Sequence, residues 1–238
     1  MRNLAPNEQR HAESLEEIRS SPLLRATCGS SEHLGQTLES LPPVQRYSDN
    51  WADVEIDPEL LSCALRFTDL GAQWETSSKG GRSKFYGEFN LLHFHDVLSQ
   101  VEGGPATVPD PTEFQLQFLS ELRVIDHTPR SGSGKLTYIR IHPGVTTLEI
   151  WYSAIADIGN NPHPPGYIKM DITYCQYLDA LLLTKGTYGW QYLYTDISLR
   201  RGDFDETVRY LRGMLEVFPE IFPQHDYREL RERLEARL

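Results

Sequence analysis

One stretch of the chain, residues 167–198, constrains the fold most, because a strand pattern, a capped helix and an aromatic segment follow one another directly. Residues 167–172 alternate in the manner of a short strand after a Pro-Pro-Gly breaker. A Thr-x-x-Gln capping box and a Lys-Gly stop then predict a helix over residues 173–185. Its apolar side chains recur at helical spacing, so we expect this helix to be buried.

The segment after this helix predicts an aromatic strand. Large aromatic residues alternate with smaller or polar ones over residues 188–194, which is the period of a strand. We expect Trp190 to be buried against the helix at 173–185, because the leucines of that helix need an apolar neighbour.

Strand and helix patterns alternate along the rest of the chain. Residues 136–141 and 146–152 are rich in β-branched and aromatic residues and flank a His-Pro-Gly turn, so they predict an antiparallel pair. A further aromatic strand is predicted over residues 85–94. Helical spacing of apolar residues predicts three more helices, at residues 60–70, 203–218 and 226–238.

These patterns predict a single α+β domain whose sheet is mixed or largely antiparallel and is packed by helices. Residues 1–45 are expected to form a helical N-terminal extension of two short helices, and residues 46–238 the α+β domain. At 39% apolar residues over 238 positions, the chain can bury a substantial core.

The cysteines predict a location for the protein. Cys28, Cys63 and Cys175 are odd in number and far apart, with no zinc-ligand spacing. We therefore expect a chain that folds without disulfides, metal or cofactor, in the reducing cytoplasm. No apolar run approaches the roughly 20 residues that cross a bilayer, and the first residues lack the apolar stretch of a secretory signal.

The charge balance narrows the class of partner. The formal net charge of −11 argues against nucleic-acid binding, since a polyanion would be repelled. It suits a basic protein partner, whose association it would accelerate.

An acidic segment, residues 49–59, contains five carboxylates and no basic residue. If the segment is extended, its acidic side chains point outward while Val54 and Ile56 point inward. The ordinary alternative is a solvated edge or loop. We predict that the segment is part of the partner-binding surface, through Asp49, Asp53, Glu55, Asp57 and Glu59.

The most enzyme-like pattern is His93-Phe-His95. On a strand, both imidazoles would share one face and could hold a metal. Gly87 precedes them at the spacing of the first cupin motif, but the glutamate of that motif is missing, since Ser99 and Gln100 stand there. A metal-dependent, cupin-like enzyme is therefore the alternative hypothesis; with no complete catalytic set, we predict no catalytic residue, no metal site and no enzymatic activity.

The amino-acid sequences of two segments resemble those of a known family. Met170-Asp171, the YLDALL helix, the Lys-Gly stop and the GTYGWQYLY tail are similar to the closing segment of SMI1/KNR4-type proteins of the SUKH superfamily. Residues 85–94, FYGEFNLLHF, match the central strand region of that family more loosely. The early leucine-proline segment of the family has no clear counterpart here.

This resemblance implies an α+β fold and, in bacteria, an immunity protein that neutralises a toxin by binding it. We therefore expect a non-catalytic cytoplasmic protein that acts by occlusion on a basic toxin or effector, without nucleic-acid or membrane binding.

Overall fold

A seven-stranded antiparallel sheet lies at the centre of the computed structural model, which describes residues 3–30, 33–77, 84–100, 112–144, 147–154 and 166–238. The strands lie in the sheet in their chain order, and each pairs antiparallel with the next. They are β1 (Leu24–Ser30), β2 (Asp69–Thr76), β3 (Tyr86–Leu92), β4 (Leu122–His127), β5 (Lys135–Arg140), β6 (Glu149–Ala154) and β7 (Tyr167–Met170).

Helices of very different length pack on this sheet. They are α1 (Pro6–Ser20), α2 (Glu59–Cys63), α3 (Phe94–Leu98), α4 (Glu113–Ser120), α5 (Tyr174–Thr184), α6 (Asp205–Ile221) and α7 (Arg228–Glu235). Short 3-10 turns lie at Leu38–Ser40, Val44–Arg46, Asp49–Trp51, Trp190–Tyr194 and Gly202–Phe204. The predicted single-domain α+β fold with an N-terminal helix is therefore confirmed.

The sheet buries apolar side chains on both faces. Ile139 belongs to the main core together with residues of α1, α5, α6 and α7. Its neighbour Tyr138 belongs to a second cluster with Phe118 and Leu119 of α4. Because successive strand residues point to opposite faces, α4 covers the face opposite the main core.

The most local predictions are confirmed. Strands β5 and β6 form the expected antiparallel pair, with Ile139 opposite Ile150. Helix α5 has the expected capping box, in which the backbone N–H of Gln176 donates to Thr173 Oγ1. The helices predicted at 203–218 and 226–238 correspond to α6 and α7.

The helix predicted over residues 60–70 is wrong beyond Cys63. Strand β2 begins at Asp69 and is hydrogen-bonded to β1 on one side and β3 on the other. Gly71 lets two strands approach each other, because a Cβ there would lie 2.8 Å from the carbonyl oxygen of Phe89. Pairing across the sheet overrides the local helical pattern.

The strand predicted over residues 188–194 is also wrong, since Trp190–Tyr194 form a 3-10 helix. Gly189 has φ +82° and turns the chain out of an extended path. The expected burial of Trp190 is nevertheless confirmed. Its side chain is 1% exposed, and its ring centroid lies 5.0 Å from that of Tyr177 on α5.

The N-terminal part of the chain joins the sheet. Helix α1 agrees with the expected helical extension. Residues 24–30, however, form the edge strand β1, which pairs with β2. Where a second helix was predicted, the described residues 33–41 contain the 3-10 turn Leu38–Ser40 and no α-helix.

Two of the cysteines are joined by a disulfide, so the expectation of a disulfide-free fold is wrong. Cys63 and Cys175 are bonded, with their Cα atoms 5.5 Å apart, and Cys28 is free. Their separation of 112 residues gave no hint of proximity, because it is the packing of α2 on α5 that brings them together. None of the described helices is long and apolar enough to cross a membrane.

Candidate functional site

The acidic segment forms a ribbon on the surface, which we call the acidic ribbon (residues 49–59). It starts with the 3-10 turn Asp49–Trp51 and runs to the start of α2. Trp51 and Val54 are buried, at 2% and 1% exposure, and Ile56 is half-buried. The charged side chains therefore point outward, as the alternation predicted: Asp49, Asp53, Glu55 and Glu59 are exposed and Asp57 is half-buried.

Buried contacts hold the acidic ribbon in place. The guanidinium of Arg123 lies 4.7 Å from the ring centroid of Trp51. Arg123 is itself 1% exposed and donates to the carbonyl oxygen of Ser120 at 2.6 Å. Further along, the side-chain amide of Gln45 donates to the carbonyl oxygen of Val54 at 2.8 Å. The ribbon backbone is thus fixed at two points.

The carboxylates of the acidic ribbon have no basic partner among the described residues. No ion pair joins any of the five to a described lysine, arginine or histidine. Within the described part of the chain, Asp57 accepts one hydrogen bond, from the backbone N–H of Glu59 at 2.9 Å. Their charge is therefore left uncompensated at the surface, where it contributes to the field around the protein.

An apolar groove runs beside the acidic ribbon, with a volume of about 420 Å³. We call it the ribbon groove. Its walls are the proline-rich turns at 38–45, the apolar side of the ribbon and Leu98 of α3. Glu55 is the charged residue in its lining. An apolar centre with charged residues at its rim is the anatomy of a protein–protein interface.

His93 and His95 do not share a strand face, contrary to the metal-platform expectation. Strand β3 ends at Leu92, and His93 is the N-cap of α3. His93 Nε2 lies 3.1 Å from the carbonyl oxygen of Gln36, while His95 Nδ1 lies 3.0 Å from the hydroxyl of Tyr47. Among the described residues no group of three or more His, Cys, Asp or Glu could hold a metal.

A second concavity, of about 700 Å³, was missed at the sequence level. We call it the tyrosine cleft, because Tyr86, Tyr188 and Tyr210 line it. These residues lie on β3, in the turn after α5 and on α6. Their separation in the chain conceals the cleft, and the number of tyrosines gives only a weak signal.

Asp126 and His127 are successive residues of β4 and therefore point to opposite faces of the sheet. Asp126 is 4% exposed and accepts the hydroxyl of Tyr177 at 2.7 Å. Burial raises the pKa of Asp126 to about 6, although the hydrogen bonds from Tyr177 and from the backbone of Asn90 oppose this shift. Because this carboxyl is enclosed in the core, it serves the fold and is not available to a substrate.

An ion pair between the buried Lys185 and the half-buried Glu17 joins two segments that are distant in the chain. Lys185 is fully buried and donates to Ser14 Oγ at 2.9 Å and to the carboxylate of Glu17. Burial lowers the pKa of Lys185, and Glu17 raises it in part. Burial acts on Glu17 in the opposite direction and raises its pKa. Hydrogen bonds from His225 and Lys185 outweigh this effect, so the pKa of Glu17 is about 2. This cluster stabilises the packing of α1 against the end of α5.

Comparisons with protein-family models, with curated proteins and with solved structures return no match for this chain.

Proposed function

We propose that this protein is a non-catalytic binding protein that neutralises a basic toxin by direct contact and occlusion. The acidic ribbon and the ribbon groove would form the contact surface. The observation that supports this proposal is that the acidic ribbon, whose five carboxylates have no ion-pair partner among the described residues, forms one wall of an apolar groove, with Glu55 in the lining.

The energetic argument has two parts. Burial of apolar groove residues against a partner would supply affinity, at roughly 25 cal/mol per Å² before the cost of association is subtracted. The unpaired carboxylates would attract a basic partner and so act mainly on the association rate. The net charge of the whole protein, −11, is negative like that of the acidic ribbon and would attract a basic partner as well.

Preorganisation supports the same surface. Trp51 under Arg123 and the Gln45–Val54 hydrogen bond fix the ribbon before any partner arrives. A rigid contact surface loses little conformational entropy on binding. The similarity of residues 167–198 to SMI1/KNR4-type proteins supports the immunity role in particular.

A cytoplasmic location belongs to this proposal. In that compartment thiols are kept reduced. Cys63 and Cys175 would therefore be free thiols in the cell, and the disulfide between them would form on oxidation. Alkylating the protein in intact cells before lysis tests this. Three modified cysteines fit the cytoplasm, whereas one modified cysteine, Cys28, would place the chain in an oxidising compartment.

The function is tested with the product of a toxin-type gene adjacent to the gene of this protein. Co-expression should restore growth of cells that express the toxin, and the purified proteins should form a stable complex. Failure to bind the products of the adjacent genes would contradict the proposal.

The enzyme alternative has a separate readout, the metal content of the purified protein. Stoichiometric zinc, iron or manganese that is lost in a His93→Ala, His95→Ala double variant would favour a metal-dependent enzyme over a binding protein.

A further inference from the structure

The tyrosine cleft lies where the face of β1–β3 that is turned away from the main core meets the β4–β5 loop and the start of α6. Thr27 and Gln73 form part of its floor. Tyr86, Tyr188 and Tyr210 form an aromatic wall. A volume of about 700 Å³ is within the range of sites that hold small ligands.

The rings form a platform and leave no slot between them. The planes of Tyr86 and Tyr188 are 28° apart, with centroids at 6.4 Å. Tyr210 presents its edge to Tyr86, at 78°. A planar group held between two rings needs roughly 7 Å, two van der Waals contacts of about 3.5 Å. A ligand would therefore lie on the wall, against exposed ring surface.

The aromatic wall is held rigidly. Glu88, 4% exposed, accepts the hydroxyl of Tyr188 at 3.2 Å. The same carboxylate accepts the backbone N–H groups of Arg130 and Ser131, at 2.6 and 3.0 Å. One buried side chain thus fixes both the ring and the loop beside it, so the cleft is largely preformed.

The charges around the cleft are already balanced. Glu75 pairs with Arg25 at 3.3 Å and with Lys84 at 2.6 Å. Glu206 pairs with Arg209 at 2.9 Å. In addition, Lys84 lies 5.2 Å from the ring centroid of Tyr86, where a cationic ligand would have to compete. Asp203 pairs with Arg201 at 3.1 Å, and the ammonium group of Lys135 lies 5.5 Å from the ring centroid of Tyr188. Each charged residue of the lining thus has a charged or aromatic partner among the described residues, which favours a neutral ligand.

Polar groups on the floor lack protein partners. The side chain of Gln73, which is half-buried, forms no hydrogen bond with any described residue, and neither does the exposed side chain of Thr27. An amide offers two donors and an acceptor, and a hydroxyl offers a donor and acceptors. A ligand with several hydroxyl groups would match this set, and a partly enclosed amide benefits from such a match.

We propose that the tyrosine cleft binds a neutral saccharide unit. One apolar face of the sugar ring would pack on Tyr86 and Tyr188, and its hydroxyl groups would bond to Gln73 and Thr27. This site is separate from the acidic ribbon and does not depend on the proposed toxin binding.

The test is a titration of the 238-residue protein with neutral mono- and disaccharides, followed by saturation-transfer NMR and calorimetry. Gln73→Ala should weaken binding about tenfold, the loss that roughly one or two unmade ligand hydrogen bonds give. Tyr86→Leu should weaken it by at least as much, since it removes the stacking surface. Tyr47→Leu, a half-buried tyrosine beside His95 and outside the cleft, is the matched control and should bind like wild type.

Adenosine, tetramethylammonium and inorganic phosphate are the comparison ligands. Absence of saturable binding by every saccharide would overturn the proposal. So would tighter binding of a comparison ligand, or saccharide binding that both cleft variants leave unchanged. Toxin binding by the same variants is measured in parallel, so that failure at this site is distinguished from failure of the proposed function.

Discussion

The carboxylates inside this protein and those on the acidic ribbon differ in their partners. Inside, Glu8 is 1% exposed and is bonded to Arg66 at 2.6 Å, and Glu17 is bonded to Lys185. On the ribbon, Asp53 and Glu55 are exposed and have no ion-pair partner among the described residues. The inner carboxylates therefore contribute to stability, whereas the outer ones contribute to the electric field that a partner meets.

The largest stability loss is expected where an inner pair is broken. Lys185→Met keeps much of the side-chain volume but leaves Glu17 without its buried ammonium group. Removing one member of a buried pair costs about 3–5 kcal/mol. Because the half-buried Glu17 keeps His225 as a partner, we expect the lower end of that range. Urea unfolding should show a lower midpoint with an unchanged slope. A loss of less than about 1 kcal/mol would show that the inner pair contributes no more than a surface pair does.

The disulfide bears on the comparison between the interior and the acidic ribbon, because it links the end of the ribbon to the core. Cys63 lies on α2, which begins at the last ribbon residue, and Cys175 lies on α5. A closed loop of 112 residues places the disulfide at the upper end of the usual stabilisation of about 2–4 kcal/mol. We expect the Cys63→Ser, Cys175→Ser variant to lose about that much in unfolding experiments.

A Cys28→Ser variant, which leaves the disulfide intact, is the matched control. If the double variant and this control unfold at the same denaturant concentration under oxidising conditions, the disulfide does not stabilise the fold.

Asp126 gives the inner carboxylates a pH signature. Its pKa is raised from 3.8 to about 6 in the folded protein. The folded state therefore holds the proton more tightly than the unfolded state, so this group's contribution falls as pH rises from about 4 to about 6 and is constant above. The size is roughly 3 kcal/mol, from about two pKa units.

The measurement is the free energy of unfolding between pH 4 and pH 7 in wild type and Asp126→Asn. The free energy of unfolding of the variant, measured relative to wild type, should rise between about pH 4 and pH 6, because the variant lacks the decline that Asp126 contributes. Asp53→Asn on the ribbon controls for the loss of one carboxylate and should retain the wild-type slope. An unchanged slope in Asp126→Asn would mean that another group titrates in this range.

An element of this fold could be predicted from the sequence where a few neighbouring residues determine it, and could not where tertiary packing does. Helix α5 and the β5–β6 pair were predictable, because the capping box and the His-Pro-Gly turn act over a few residues. Residues 190–194 were not, since aromatic alternation looks the same whether one side of a segment is buried or all of it. There, Trp190 and Tyr192 are both buried within a 3-10 helix.

The candidate sites follow the same rule. The outward carboxylates and inward Val54 of the ribbon were predictable from alternation over adjacent residues. The tyrosine cleft was not, because Tyr86 and Tyr188 meet only once the sheet has formed. The bond between Lys185 and Glu17 spans 168 residues, and a lone lysine after a helix gives no sign of burial.

The smallest stability effect and the clearest binding effect are expected on the acidic ribbon. The Asp53→Asn, Glu55→Gln, Asp57→Asn triple variant removes three negative charges that have no ion-pair partner among the described residues. Each surface substitution should change the free energy of unfolding by no more than about half a kcal/mol. Association with a basic partner should nevertheless slow and lose part of its salt dependence, because attraction between exposed charges is screened by salt.

Association rates at low and high salt, measured for the adjacent-gene toxin on wild type and the triple variant, check this. The matched control is Glu229→Gln, which removes a carboxylate that is paired with Arg233 on α7 and should leave association unchanged. Because Glu229 lies on α7 and outside the acidic ribbon, this control separates the position of a charge from the loss of net charge. An unchanged low-salt rate in the triple variant would exclude the acidic ribbon as the contact surface, and the inner and outer carboxylates would then differ only in their stability effects.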